Sequence, residues 1–183
     1  MKQTLISLPN KIAHYRFKKV IFDIETEGLE GNIIHCIVAK VVGGETFLFT
    51  PDNLQEGVDL IESADVLIGH NIISFDIPLL KEQYPEFEYK GELIDTLVLS
   101  RLFYPNIIDR DFERRPDGMP QKLYGRHSLE AWGYRLRCFK GDYGKHEGAW
   151  ETYTPEMLDY CIGDTEVTLK LYQMLLRRID GYT

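Results

Sequence analysis

The chain has 183 residues, enough for one well-buried domain, and its 44% apolar and 27% charged content is ordinary for a globular protein. Its formal net charge of -8 argues against a protein that coats nucleic acid by charge alone, because that affinity comes from lysine and arginine neutralising phosphates. No apolar run reaches the roughly 20 residues that span a bilayer, and the N-terminus lacks a signal-peptide core. We therefore expect a cytoplasmic protein without a membrane segment.

The first part of the chain predicts three antiparallel strands, followed by alternating helices and strands. A short β-branched and aromatic run at 18–24 is typical of a buried strand. Two further runs at 33–42 and 45–50 meet across Gly43 and Gly44, a favoured hairpin connection. Hydrophobic spacing then predicts a helix, a strand and a second helix, at 53–63, 66–69 and 74–84.

The middle of the chain contains one more strand, one apolar helix and a long polar segment. The strand is expected at 93–95, and the helix that follows ends near Phe103. The segment at 104–125 contains Pro105, Pro116 and Pro120, and its composition predicts a loop.

Two helices are predicted in the last third of the chain. The first begins after His127 or Ser128, either of which lies where an N-cap is expected. The second runs over 155–177, because Thr154 is a good N-cap and Pro155 suits the first helical position, where no N–H is needed.

Several carboxylates lie at the ends of these apolar elements. Side chains alternate along a strand, so Asp23 and Glu25 share one face and Ile24 points to the other, and the two acids can share one cation. Asp76 follows a strand and a turn and lies near a helix start, where backbone donors help to hold anions. Their convergence would raise the pKa of at least one carboxyl group.

The last helix adds a fourth carboxylate, Asp164, one turn after Tyr160 and on the same face. Four hard oxygen ligands without a thiolate point to Mg²⁺ or Mn²⁺ rather than zinc. Two such ions about 4 Å apart would suit hydrolysis of a phosphodiester by in-line displacement. The cysteines are odd in number and far apart, which predicts reduced structural or surface thiols rather than a zinc site: Cys36, Cys138 and Cys161.

Five strings of residues together resemble one family, the DnaQ-like exonucleases of the ribonuclease H-like fold. The subclass is the one whose last motif is Tyr-x-x-x-Asp, and the chain resembles in particular the 3′–5′ proofreading domain of family A DNA polymerases from T-seven-type phages. The strings lie at 22–25, 70–78, 94–101, 128–136 and 159–164, of which Leu-Glu-Ala-Trp-Gly-Tyr-Arg-Leu at 129–136 is the most specific. The resemblance covers about 18–178, so we expect an extension at 1–17 and a single domain at 18–183.

The resemblance implies an α/β fold, with a mixed central sheet whose first three strands are antiparallel and the rest parallel, flanked by helices. It also implies two bound ions. Asp23 would bridge them, Glu25 and Asp164 would complete the inner site, and Asp76 would act on the second ion. Tyr160 would orient the attacking water. The sister subclass uses histidine one residue earlier, where this chain has an aspartate.

The resemblance further implies contacts to the substrate. Thr26, Leu29 and Asn71 match positions that touch the terminal nucleotide, with Leu29 as an apolar wedge against the last base. The stretch at 101–126 carries a small excess of basic residues and is expected to contact the DNA backbone, although its charges could equally solvate a long loop.

Three functions follow from these observations. The favoured one is a metal-dependent 3′–5′ exodeoxyribonuclease that acts on single-stranded or frayed DNA ends. The second is an RNase D-like exoribonuclease, which shares the Tyr-x-x-x-Asp motif, and the third is a non-catalytic nucleic-acid-binding module. The sequence lacks the palm, fingers and thumb of a polymerase, so we expect either a free-standing enzyme, with a DNA polymerase as a separate partner polypeptide, or a piece of a longer enzyme.

Overall fold

A computed structural model describes residues 17–27, 33–138, 143 and 148–181. Five strands and six α-helices are assigned in these ranges. The strands are β1 (Phe17–Thr26), β2 (Ile34–Val41), β3 (Thr46–Phe49), β4 (Ala64–Gly69) and β5 (Glu92–Asp95). The helices are α1 (Leu54–Glu62), α2 (Asp76–Gln83), α3 (Thr96–Phe103), α4 (Ile107–Arg114), α5 (Leu129–Arg135) and α6 (Pro155–Asp180). The predicted extension at 1–17 lies outside the described residues except for Phe17.

The sheet has the strand order β3-β2-β1-β4-β5. β1 pairs antiparallel with β2, and β2 pairs antiparallel with β3, whereas β1 with β4 and β4 with β5 are parallel. The predicted mixed sheet is confirmed. The hairpin is also confirmed, but its tight turn is centred on Val42 and Gly43, because the Gly44 N–H donates to the Val41 carbonyl and Gly43 takes the positive φ of 79°.

The central strand β1 is buried on both faces, and its alternation divides the core in two. Phe22 and Ile24 pack into the cluster formed with α1 and α2. Ile21 lies on the opposite face and packs with Ile68 and Tyr172, the latter from α6. Odd-numbered residues of β1 therefore face α6, and this places Asp23 and Glu25 on the α6 side.

The prediction of a loop over 104–125 is wrong. α4 occupies Ile107–Arg114, and a 3₁₀ turn follows at Gln121–Leu123. Ile107 packs against Tyr104 and Trp132, and Asp111, one turn later, is buried as well. The prolines lie outside α4, so they do not interrupt its hydrogen bonds.

The last two helices begin where the sequence predicts. The Ser128 side chain accepts from the Ala131 N–H at the start of α5, and the Thr154 side chain accepts from the Met157 N–H at the start of α6. α6 continues to Asp180, three residues beyond the predicted end. Among the described residues, no helix is long and apolar enough to cross a membrane.

Candidate active site

Two strand carboxylates and a helix thiol form a group of potential metal ligands in the described part of the chain. One ligand atom each from Asp23, Glu25 and Cys161 lies within 4.8 Å of the other two. The Cys161 Sγ lies 3.5 Å from both Asp23 Oδ2 and the Asp23 carbonyl oxygen. Burial, together with Cys36 and the nearby carboxylates, raises the pKa of Cys161, so it is a thiol that donates to Asp23. The sequence analysis gave Cys161 no role.

A β-bulge ends the carboxylate segment of β1. Glu25 is opposite Cys36, but Thr26 is opposite Ile34, so the register shifts by one residue between Glu25 and Thr26. Bulges turn side chains away from the regular alternation and are frequent next to active sites. Glu25 and Thr26 are consequently both buried, although they are neighbours in sequence.

Asp76 is positioned by the turn that joins β4 to α2. Asp95 accepts hydrogen bonds from the Asn71 N–H at 3.0 Å and the Ile73 N–H at 3.2 Å, and also from the Leu97 N–H at 2.9 Å at the start of α3. Asn71 has a φ of 70°, a left-handed conformation that asparagine tolerates well. One buried carboxylate, Asp95, therefore fixes both the turn and the following helix, a role that the sequence analysis did not assign.

The Asp76 carboxyl group lies among other acids. It is only 4% exposed. Burial raises its pKa well above the ordinary value, and the charges of Asp23 and Asp95 add to this effect, against opposing hydrogen bonds from its own backbone and from the Ile24 backbone. The carboxyl therefore favours the protonated form until a positive charge compensates it.

Tyr160 of α6 lies against the same acids. Burial and the charges of Glu25 and Asp23 raise its pKa far above that of an exposed tyrosine, so the phenol stays protonated. Its ring is held by the rings of Tyr143 and Trp150, with centroids 5.8 and 5.7 Å away. The Tyr143 hydroxyl lies 2.8 Å from Thr154 Oγ1, which links this aromatic group to the N-cap of α6.

The remaining predicted site residues fall at different distances from this centre. Asp164 is buried on α6 one turn after Tyr160, but neither it nor Asp76 belongs to the 4.8 Å group described above. Asn71 is half-buried at the turn before α2. Leu29 lies outside the described residues, so its expected role as a wedge stays a prediction.

Two histidines near these elements have structural contacts. His70 Nδ1 lies 2.9 Å from Thr96 Oγ1, and His127 Nδ1 lies 3.0 Å from Ser100 Oγ. Burial lowers the pKa of His127, helped by two nearby arginines. These contacts connect the loops before α2 and α5 to α3.

Comparison with known proteins agrees with this architecture. No protein-family model matches the chain. The DNA-directed DNA polymerase of Enterobacteria phage T3 is 32% identical over 185 aligned positions, covering 86% of this chain, and that of Escherichia phage T7 is 31% identical over the same share. The chain spans about a quarter of the length of these relatives, 26% in each case. The solved structure of NrnC from Brucella melitensis matches with a TM-score of 0.63 at 19% identity, over 95% of this chain and 79% of NrnC.

The chain is related to one region of the phage DNA polymerases, over about a quarter of their length. Its mixed five-stranded sheet with flanking helices is a ribonuclease H-like fold, which it shares with NrnC. The β1 carboxylates face α6, and Asp76 approaches them from the start of α2. The donor set is rich in carboxylate oxygen, which suits a hard divalent cation.

Proposed function

We propose that this chain is a DnaQ-like domain and a divalent-metal-dependent 3′–5′ exonuclease that removes nucleoside monophosphates from DNA ends. The observation that carries the proposal is the approach of buried Asp76 to Asp23, on the side of β1 that also holds Glu25 and faces Tyr160. Such an arrangement destabilises the apo protein and gains most from a bound cation.

The metal ligands in this proposal are Asp23, Glu25, Asp76 and Asp164, which would hold two Mg²⁺ or Mn²⁺ ions. Both cations prefer the carboxylate oxygens that these residues offer. When bound, the ions supply positive charge that stabilises the transition state of phosphodiester hydrolysis. The NrnC fold has been solved with bound Mg²⁺, which supports the choice of metal at the level of the fold.

The other residues would position the substrate and the water. Tyr160 keeps its phenolic proton, so it can donate a hydrogen bond to the attacking water or to a phosphate oxygen. The contacts of its ring with Tyr143 and Trp150 restrict the orientation of this side chain. Thr26, Leu29 and Asn71 would contact the terminal nucleotide, which places the scissile phosphate beside the carboxylates. The spacing of Tyr160 and Asp164 supports the Tyr-x-x-x-Asp subclass for this domain.

DNA is the proposed substrate because the curated relatives are DNA polymerases. In such a setting the domain would proofread or process 3′ ends, either beside a polymerase partner or as part of a longer chain. The alternative is an exoribonuclease. The solved NrnC bound to pGG supports a short nucleic-acid ligand for the fold and does not by itself favour DNA. A non-catalytic binding module would not require the buried acids that are proposed here as metal ligands.

A time course with matched 5′-labelled DNA and RNA strands tests the proposal. The wild-type domain in Mg²⁺ or Mn²⁺ should shorten the DNA strand from its 3′ end, and EDTA should stop the reaction. Asp23→Asn should be inactive, and Asp159→Asn serves as the matched control, since Asp159 is exposed on α6 beside Tyr160. Faster loss of the RNA strand would establish the exoribonuclease, and metal-independent or absent cleavage would overturn the proposal.

A further inference from the structure

A basic cleft of about 370 Å³ lies between α4, α5 and the second half of α6. None of the candidate active-site residues lines it. Its basic residues are Arg110, Arg114, Arg115, Arg135 and Arg137. Its acidic residues are Asp111 and Asp117, of which Asp111 is already neutralised by Arg135. A net positive cleft in a chain of charge -8 indicates an anionic ligand.

Two buried donors at this cleft have no acceptor among the described residues. Arg135 uses Nε and Nη2 on Asp111, at 2.9 and 2.7 Å, and this leaves its Nη1 without a partner. The Nε1–H of Trp132 is also unpartnered. The Arg135 side chain is 9% exposed and Trp132 is 2% exposed. Buried donors are normally paired, so an acceptor supplied by a ligand or by ordered water would satisfy them.

The cleft has an apolar wall as well as basic residues, which suits an organic anion better than an inorganic one. Tyr104, Ile107 and Met174 give it an apolar side, and the Arg110 guanidinium stacks 4.9 Å from the centre of the Tyr104 ring. Arginine forks match phosphate oxygens, whereas aromatic rings and guanidinium planes stack on bases. The volume falls in the range of sites that bind small organic ligands.

We propose that this cleft binds a nucleotide, with its phosphate on the arginines and its base against the apolar wall. The nucleotide belongs either to the strand under degradation, upstream of its 3′ end, or to the free mononucleotide product. The first source rests on the proposed exonuclease function. The helix α5 connects the two regions, because Glu130 near its start lies close enough to affect Tyr160, and Arg135 at its end lines the cleft. The rise between these residues is about 7.5 Å.

Binding of a labelled 12-nucleotide single strand in EDTA tests the proposal without requiring hydrolysis. The variant is R110Q/R114Q, since both residues lie on α4 and glutamine keeps helix propensity. The control is K170Q/R177Q, which removes the same charge from exposed positions of α6 outside the cleft. Fluorescence anisotropy should show that the cleft variant binds the strand about tenfold or more weakly. The slope of its log affinity against log salt concentration should be shallower, by the equivalent of up to about two released counterions. The control should bind within about twofold of wild type.

If the cleft variant binds the 12-nucleotide strand as tightly as the wild type, and its thermal unfolding is unchanged, then the strand is not the ligand of the cleft. Equal losses in both double variants would exclude the strand too, because only general charge would then be involved. If the wild type hydrolyses DNA, and the cleft variant binds and hydrolyses the strand as the wild type does, the strand is overturned as the ligand and the exonuclease proposal stands. If no variant hydrolyses any strand but the cleft variant still loses binding, the exonuclease proposal fails alone.

Tryptophan fluorescence distinguishes the two sources of the nucleotide. The chain has two tryptophans, so Trp150→Phe leaves Trp132 as the sole reporter at the cleft. A saturable change with dAMP that R110Q/R114Q removes assigns the cleft to the free product as well as to the strand. An affinity for inorganic phosphate equal to that for dAMP would overturn the proposed contact with the base. If dAMP causes no change in fluorescence, and R110Q/R114Q binds the 12-nucleotide strand as tightly as the wild type, the whole proposal is overturned.

Discussion

Two buried aspartates in this protein have opposite electrostatic surroundings. Asp76 is 4% exposed and Asp111 is 2% exposed. Burial and the charges of Asp23 and Asp95 raise the pKa of Asp76. Burial acts in the same direction on Asp111, but the hydrogen bonds from Arg135 and the Gly125 N–H outweigh it and lower the pKa.

The difference distinguishes a structural carboxylate from a proposed metal ligand. Asp111 has a bidentate arginine, so its charge is compensated within the fold. Asp76 has acids as its charged neighbours, and its local hydrogen bonds do not offset them. A buried acid that the fold leaves uncompensated is a candidate for binding a cation, and this contrast supports the proposed metal site beside Asp76.

The largest expected effect is a loss of catalysis when the proposed metal ligand Asp23 is replaced. Asp23→Asn removes a proposed ligand of both ions, and hydrolysis of a 5′-labelled strand should fall on the order of a thousandfold, about 4 kcal/mol of transition-state stabilisation. Initial rates measured under saturating Mg²⁺ test this. A rate within tenfold of wild type, with Asp159→Asn as the control, would remove Asp23 from the site.

Breaking the compensated pair should affect stability instead. Asp111→Ala leaves Arg135 buried without its partner, which should cost about 3 to 5 kcal/mol in the free energy of unfolding. Urea denaturation measures this value. Glu113→Ala, an exposed position on the same helix, should change it by less than about 0.5 kcal/mol. A similar small change for Asp111→Ala would contradict the assignment of Asp111 as structural.

Removing the Tyr160 hydroxyl should have an intermediate effect on activity. Tyr160→Phe keeps the ring contacts with Tyr143 and Trp150 but loses one positioned donor, so kcat should fall roughly a hundredfold with little change in KM. Steady-state kinetics test the prediction, with the half-buried Tyr153→Phe as control. A change confined to KM would show that the hydroxyl binds substrate in the ground state.

The smallest effect concerns the uncompensated aspartate in the absence of metal. The folded-state pKa of Asp76 is raised, so its contribution to stability is fully present below the ordinary carboxyl pKa and is lost as the pH rises through the raised value. Asp76→Asn removes the charge, so in EDTA at neutral pH it should raise the melting temperature by a few degrees and flatten its pH dependence. Calorimetry at several pH values measures both, and a lower melting temperature at neutral pH would be the opposite result.

The sequence predicts the sheet well because its strands are strongly apolar. β1 and its neighbours are continuous runs of β-branched and aromatic residues, and the alternation of side chains along β1 correctly places Asp23 and Glu25 on one face. The sequence does not predict α4 because one of its buried positions is Asp111, and this charged residue interrupts the helical spacing of apolar residues. Only the distant Arg135 makes that burial possible, and local sequence does not show the pairing.

The candidate site is only partly visible in the sequence for a related reason. Asp76 and Tyr160 stand out by motif, whereas Cys161 and Asp95 gain their roles from contacts across the fold. The Cys161 thiol reaches Asp23 from a residue 138 positions away in the chain, and Asp95 orders a turn more than 20 positions before it. Neither contact follows from a local pattern of residue types.

Binding of Mn²⁺, followed by electron paramagnetic resonance of the free ion, tests most directly whether the acids around Asp76 form a cation site. The account predicts saturable binding with a stoichiometry approaching two ions per chain, loss of binding in Asp23→Asn, and normal binding in Asp159→Asn. Absence of saturable binding, or the same binding in wild type and Asp23→Asn, would contradict it.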